Sequence, residues 1–489
     1  MPSEIYKQLK KKIGWYPEDA IFRARQSKGK WDGLETTLCY NKKWCKCSIK
    51  KDGIHFPTGL FNKVRDFLLG YGFPLKCHDH RKKVIKNINL SLANNIELRD
   101  YQKQVVDKAA KQERGVIKMA TGAGKTICSA ALISQLSVSP FVFYVTSNDL
   151  LEQAKTEFEK FLFQDGKPLK VGVIGGGVCD IKDINIMTVQ TAVRACGEKY
   201  RNFDEEDNYT LSKDEISLLD QKRLEILNLI QRSKGFISDE SQHWRSETAQ
   251  IIADHSLSAR YRYAASATPF RDKGDDILID GCFGRQICDI SASFLIDRKY
   301  LVQPDIYFIE VNDMPKRLGN YEAYYKEGIV NNIVRNQYIV NIAKSLYEEG
   351  RNILILCQRI EHGELLESLL PMSVFLHGSH SSKERTKHIE EMRKGKAGIT
   401  ISSVIFDEGV DCKPLDALIL AGGGKSRTRA LQRVGRVIRP FTSKEKEKKD
   451  AVVIDFVDNC KYLKKHSRER RKIYNTEPLF NVEDLEMSL

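Results

Sequence analysis

The 489-residue sequence contains no run of the ~18 consecutive apolar residues that a membrane-spanning helix requires. Its opening, MPSEIYKQLKKKIGWYPEDA, carries positive charge but lacks the apolar stretch and small-residue cleavage site of a secretory signal. It also lacks any Cys-x-x-Cys pair, although 12 cysteines are scattered from Cys39 to Cys460. Without that spacing, and without a secretory signal, reduced thiols in a cytoplasmic protein are the expectation. The only local cluster is Cys39, Cys45, Cys47, Cys77, His78 and His80. A zinc site could be drawn from it, but Cys-x-Cys is poor spacing for a structural knuckle. Cys45 and Cys47 alternate as neighbours on one face of a strand do. No repeat and no low-complexity tract is evident.

What is present is ordinary for a globular chain: 41% hydrophobic and 29% charged residues. At one domain per roughly 150 residues, the length suggests about three folding units. The balance of charge is less ordinary. Lys plus Arg exceeds Asp plus Glu by 79 − 65 = 14, an excess that favours a polyanionic partner and says nothing of fold.

Three regions separate by pattern. Residues 1–92 are basic, with short alternating stretches such as LETTLCY and KWCKCSIK, and read as a small α+β module. Within it, Leu60, Val64, Phe67 and Leu68 fall at helical spacing, with Gly70 as a stop. Its end, Arg81–Asn87, reads as a solvated connector. From residue 93 to 297, short apolar runs (GVIKMA, PFVFYVT, INIMTV, GFISDE, YRYAAS) alternate with longer amphipathic stretches. A second such series (NILILC, SVFLHG, AGITISS, DALILAG, AVVIDF) occupies 298–489. This alternation predicts two tandem α/β domains with parallel sheets, joined near 296–303. A charged insert at 197–235 interrupts the first and is a candidate for a projecting wedge. After Asp455 a basic stretch, KYLKKHSRERRK, reads as an exposed helix face, and the acidic-apolar PLFNVEDLEMSL as a frayed end.

The strongest chemical signal is MATGAGKT, Met119–Thr126, between a predicted strand and a predicted helix. That is the context of a phosphate-binding loop. Met119 departs from the strict pattern, which has Gly or Ala there. Gly122 and Gly124 let backbone N–H groups turn toward phosphate oxygens. Lys125 supplies charge to the β- and γ-phosphates, Thr126 offers a hydroxyl to Mg²⁺, and the helix N-terminus adds its partial charge. FISDESQHW then leads a strand into Asp239 and Glu240. The Asp suits Mg²⁺ and the Glu suits an attacking water. QRVGRVIRP, Gln432–Pro440, spaces Arg433, Arg436 and Arg439 by three, as if on one helix face. Such charge stabilises a phosphoryl group in flight.

In this order the motifs resemble those of the superfamily 2 helicases and translocases, over residues 95–460. LRDYQ resembles the adenine-reading element, implying base contacts from Arg99 and Gln102. TGAGKT matches motif I, implying Thr121, Gly122, Ala123, Gly124, Lys125 and Thr126 around ATP. VTSNDLLEQ resembles motif Ia, with Thr146 in place of the common Pro, TVQT motif Ib and DESQ motif II. SATP resembles motif III, implying that Ser266 and Thr268 couple hydrolysis to DNA. ILILCQRIEHG resembles motif IV, SSVIFDEGVD motif V and QRVGRVIR motif VI. The resemblance implies Ser147, Thr188 and Ser403 on the nucleic-acid backbone and Gly409 and Asp411 near the nucleotide. It implies Lys125, Asp239, Glu240, Gln432, Arg436 and Arg439 in catalysis, and Mg²⁺ held by Thr126 and Asp239.

DESQ is not the Asp-Glu-Ala-Asp of the RNA-specialised branch. TPFR and VQPDI resemble the group that includes XPB, restriction-enzyme motors and the phage UvsW type. FRARQSKGKWDG followed by IHFPTGLFNKVRDFLLGYGF is similar to the small domain preceding the motor in UvsW-type helicases. That resemblance implies a monomeric, ATP- and Mg²⁺-dependent motor remodelling branched DNA: regressing forks, migrating Holliday junctions and unwinding R-loops. It makes the front module a basic DNA grip. A motor subunit of a restriction or repair complex and an RNA-dependent ATPase are the alternatives.

Overall fold

A computed structural model of the chain describes residues 3–15, 35–36, 56–197, 213–241, 246–268, 276–315, 319–380, 382–394, 398–403, 414–424, 427–442, 448 and 450–487. Cys39, Cys45, Cys47, Gly409 and Asp411 lie outside these, as does the stretch Phe22–Gly33. The chain forms two compact units: Met1–Met119 with Gly124–Asp289, and Ala120–Ala123 with Ile290–Leu489.

The first unit begins with a helix, Ser3–Lys12, and a short antiparallel pair, β1 (Gly14–Trp15) and β2 (Glu35–Thr36). The predicted helix follows as Phe61–Gly70. A small antiparallel group comprises β3 (Leu90–Leu92), β6 (Leu162–Gln164) and β7 (Lys167–Pro168). The main sheet has eight strands: β4 (Arg114–Met119), β5 (Phe141–Val145), β8 (Gly172–Gly175), β9 (Val178–Asp180), β10 (Ile184–Thr188), β11 (Gly235–Ser238), β12 (Tyr261–Ser266) and β13 (Gln286–Ile290). They lie in the order β13-β4-β12-β11-β5-β10-β8-β9. The run β4-β12-β11-β5-β10-β8 is parallel. In the middle, Phe143 is flanked by Ile186 and Ile237, and every residue of β5, β10 and β11 is buried. Strands covered by helices on both faces have no polar face, hence the unbroken apolar runs.

The front module shares a core with this unit. Leu9, Ile13, Leu60 and Val64 cluster with Ile277 and Leu278 of the helix Asp276–Phe283. The contact is close: a Cβ on Gly59 would lie 2.1 Å from the Asp280 carbonyl oxygen. The second half of the charged insert is also core rather than wedge. Its helix, Lys213–Arg232, places Ile226, Leu229 and Ile230 against Val193, Ala249 and Ile252. Charge dominates that segment's composition, yet these three apolar side chains bury the inner face.

The second unit is a seven-stranded, wholly parallel sheet: β14 (Pro304–Val311), β15 (Asn352–Leu356), β16 (Ser373–Leu376), β17 (Gly398–Ser402), β18 (Ala417–Ile419), β19 (Ala451–Asp458) and β20 (Asn481–Leu485). Their order is β16-β17-β15-β18-β19-β14-β20. β20 corrects the expectation of a frayed end. Asn481–Leu485 pairs in register with Asp305–Ile309, and Arg471 forms an ion pair with Asp484. Asn-Val-Glu-Asp-Leu has little strand propensity of its own, but the ladder groups of β14 supply partners for its backbone. The basic stretch before it is the helix Leu463–Tyr474, which exposes Lys465, Arg468 and Lys472 while burying Arg470 and Tyr474.

Candidate active site

The phosphate loop leaves the end of β4 and turns directly into the helix Lys125–Leu136. Gly122 (φ +85°) and Gly124 (φ +83°) take left-handed conformations, which a side chain would strain. Gly124 is the cap residue, so the first amides of the helix follow it immediately. These are the unsatisfied donors that make a helix N-terminus an anion site. Lys125 and Thr126 occupy its first turn, both half-buried. Gln102 braces this loop. Its Oε1 accepts from the Arg99 N–H at 2.9 Å, and a Cβ on Gly124 would lie 2.6 Å from its Nε2. Arg99 Nη1 donates to the Tyr101 hydroxyl at 3.1 Å.

β11 delivers the acidic pair. The Asp239 N–H donates to the Tyr144 carbonyl at 2.9 Å, and the Glu240 N–H donates to Asp239 Oδ1 at 3.0 Å. Glu240 sits at φ +44°, a left-handed conformation that costs a non-glycine residue about 1–2 kcal/mol. Lys125 Nζ stands 3.2 Å from Glu240 Oε1, both groups partly buried. The phosphate-loop cation and the second carboxylate are therefore directly paired. Burial pushes the Asp239 carboxyl up to about 7; the Glu240 charge adds to this and Lys125 opposes it.

More polar groups line the same end of the sheet. The Thr268 N–H donates to Ser266 Oγ at 2.9 Å. The Ser147 hydroxyl accepts from the Leu150 N–H at 3.3 Å, capping the helix Asn148–Phe161. Thr188 Oγ1 and Thr191 Oγ1 are 2.8 Å apart. Sequence reasoning missed Gln190, whose Nε2 donates to the Thr146 carbonyl at 2.7 Å and ties the loop after β5 to the helix Val189–Ala195 that follows β10. It also missed Ser238 and Ser241, whose buried hydroxyls, with that of Thr268, have no partner among the described residues. The signal was present, since Gln190 and Ser241 lie inside TVQT and DESQ.

Oxygen donors of this kind suit Mg²⁺, a hard cation usually bound through one or two carboxylates plus substrate phosphates. No group of three His, Cys, Asp or Glu side chains among the described residues could hold a metal alone. The Thr126 hydroxyl and the Asp239 carboxyl fit a site completed by nucleotide phosphates.

In the second unit, Gln432, Arg433 and Arg436 lie on the helix Arg427–Val437 and are buried. Arg439 corrects the expectation of a shared helix face: the helix ends at Val437, two residues before it. Pro440 follows Arg439, and a residue before proline is driven out of helical conformation. Ser403 is buried, its N–H donating to the Leu376 carbonyl at 3.2 Å.

Two family models match in tandem. Residues 95–271 match the Type III restriction enzyme, res subunit, and residues 335–440 the helicase conserved C-terminal domain. The DNA 3'-5' translocase XPB2 of Sulfurisphaera tokodaii is 26% identical over 422 residues, 78% of this chain and 86% of its own. The ATP-dependent DNA helicase uvsW of Enterobacteria phage T4 is 22% identical over 481 residues, 92% of this chain and 86% of its own. A fragment of a putative HsdR subunit of a type I restriction enzyme from Vibrio vulnificus YJ016 shares the fold, with a TM-score of 0.54 at 16% identity. It covers 80% of this chain and 68% of that one. No helix among the described residues is long and apolar enough to cross a membrane. With two RecA-like sheets, a phosphate loop salt-bridged to its acidic partner and these matches, the chain belongs to the superfamily 2 helicases.

Proposed function

We propose that this protein is an ATP-driven DNA translocase that remodels branched DNA, namely forks, Holliday junctions and R-loops, in recombination, replication or repair. The observation that carries the motor assignment is the Lys125–Glu240 pair at the end of β11. In the resting enzyme each neutralises the other. When ATP binds, Lys125 turns to the β- and γ-phosphates, and Glu240 is released to orient water and accept its proton. Thr126 and Asp239 would hold Mg²⁺, which when bound neutralises phosphate charge. Gln102 and Arg99 read the adenine. Arg436 and Arg439 stabilise the transferring phosphoryl group, with Gln432 beside them and Gly409 and Asp411 contributing at the nucleotide. Ser266 and Thr268 couple turnover to the grip.

Ser147, Thr188 and Ser403 hold the phosphate backbone. Because the Ser147 oxygen already accepts a cap hydrogen bond, its contact with phosphate is by O–H donation. Grips of this kind ignore sequence and weaken with salt. The net charge of +14 suits them.

The branched-DNA assignment rests on the UvsW-type front module and on an alignment to the phage T4 helicase that extends beyond the two motor models. ATP hydrolysis is to be measured with forks, four-way junctions, RNA–DNA hybrids, plain single strands and RNA. Branched substrates are expected to stimulate most and to be unwound; stimulation by RNA alone rejects the assignment. The restriction-type family match over residues 95–271 favours, as a second reading, a motor subunit acting within a larger complex. A purified chain that is monomeric and remodels junctions unaided excludes it.

A further inference from the structure

The helix that carries Gln432, Arg433 and Arg436 is preceded by the turn Ala421–Gly424. Each of its four consecutive carbonyls accepts a hydrogen bond from a side chain of a different element. Arg335 Nη1 donates to Ala421 at 2.7 Å and the Tyr325 hydroxyl to Gly422 at 2.8 Å. Gln358 Nε2 donates to Gly423 at 3.1 Å and Arg470 Nη1 to Gly424 at 2.5 Å. The donors come from the helix Ile333–Glu348, the helix Tyr321–Tyr325, the loop after β15 and the helix Leu463–Tyr474. The glycines leave no slack. Cβ atoms on Gly422 and Gly424 would lie 2.8 Å from Gln358 N and Gln358 Nε2. At the other end of the arginine helix, the buried Lys448 ammonium donates to the Val437 carbonyl.

The two guanidinium donors are themselves fixed. Arg335 Nε meets Asp458 Oδ1 at 2.8 Å, and Arg470 binds Asp455 through Nε at 2.8 Å and Nη2 at 2.7 Å. All four charged groups are essentially buried. Buried ion pairs are an inefficient way to stabilise a core, and their attested use is to fix one arrangement against alternatives. The arrangement fixed here is the turn at the root of the arginine helix, three residues before Arg427.

We propose that Tyr325, Arg335, Gln358, Lys448 and Arg470 form a clamp that positions Arg436 and Arg439 for phosphoryl transfer. They are positioning residues, not groups that touch nucleotide. The inference rests on the catalytic role of the arginines given above. Tyr325→Phe tests it with little disturbance, since it removes one hydroxyl and leaves the Gly422 carbonyl unmatched while keeping the ring. In the full chain, DNA-stimulated ATP hydrolysis by Tyr325→Phe is expected to fall about tenfold in kcat with KM for ATP unchanged. Arg470→Lys, which keeps the charge but loses the fork joining Asp455 to Gly424, is expected to fall at least as far.

The decisive measurement is a double-mutant cycle with Arg439→Ala. If the clamp acts through the arginines, Tyr325→Phe adds to Arg439→Ala less than its full single-variant loss, because only Arg436 is then left to be positioned. Multiplied losses, or a Tyr325→Phe enzyme with wild-type kcat and only a lower melting temperature, overturn the clamp while the arginine role stands. An Arg439→Ala enzyme with wild-type kcat overturns that role and the clamp with it.

Discussion

Asp239 offers a test of the site in which pH is the perturbation and the sign is set by structure. Its carboxyl is pushed up to about 7, first by burial and then by the neighbouring Glu240 charge. In the role proposed for it, Asp239 holds Mg²⁺ in its ionised form, so binding of a magnesium–nucleotide complex is expected at full strength above this pKa and weaker as pH falls through it. With a midpoint near 7, the ionised fraction drops from about 0.9 at pH 8 to about 0.1 at pH 6, a loss of roughly tenfold in affinity. Glu240→Gln removes the second cause of the shift and frees Lys125 to favour the Asp239 charge. The midpoint then moves down, and the same pH change costs less affinity than in the wild type. The assay is equilibrium binding of a fluorescent, non-hydrolysable ATP analogue with Mg²⁺ between pH 6 and 8. Ionisation of the nucleotide is common to both proteins and cancels in the comparison. A flat wild-type profile, or an equal tenfold loss in Glu240→Gln, refutes the coupling between the two carboxylates.

Two single substitutions and one truncation give further tests. Arg439→Ala is expected to lower kcat by about 10³-fold, in the range of arginines that act on a transferring phosphoryl group, with nucleotide affinity little changed; steady-state kinetics and analogue binding separate the two. Gly363→Ala lies inside the helix Ile360–Leu369, where alanine normally stabilises by up to about 1 kcal/mol. Here its Cβ would lie 2.2 Å from Phe375 Cζ, so a net loss of about 1–2 kcal/mol is expected, read as a melting temperature lower by several degrees. Removing residues 481–489 strips β20 from β14. Hydrogen exchange should then lose protection along Pro304–Val311, whereas a frayed end would leave it unchanged.

Much of the fold was legible because buried parallel strands are unmixed apolar runs. PFVFYVT and INIMTV could be read as strands from the chain alone, and they are β5 and β10. The glycines at 122 and 124 and the Lys-Thr after them were equally plain, since a phosphate loop demands those residue types in one local stretch. β20 was not legible, because five residues rich in Asn, Asp and Glu become a strand only where a sheet edge supplies their backbone partners. The helix in the charged insert could be read from DEISLLDQKRLEILNLIQ, but not its burial, because the charged composition concealed the three apolar side chains that pack into the core.

What the amino-acid order determined by itself is therefore local chemistry: the phosphate loop, the acidic pair, the arginine series and the α/β alternation, each written within a few consecutive residues. What only the tertiary structure decided is which groups meet. Lys125 and Glu240 are 115 positions apart and form an ion pair. Tyr325, Arg335, Gln358 and Arg470 come from four different elements to hold four successive carbonyls of one turn. Side chains far apart along a chain become neighbours only through sheet order and helix packing, and that pairing leaves no trace in local spacing.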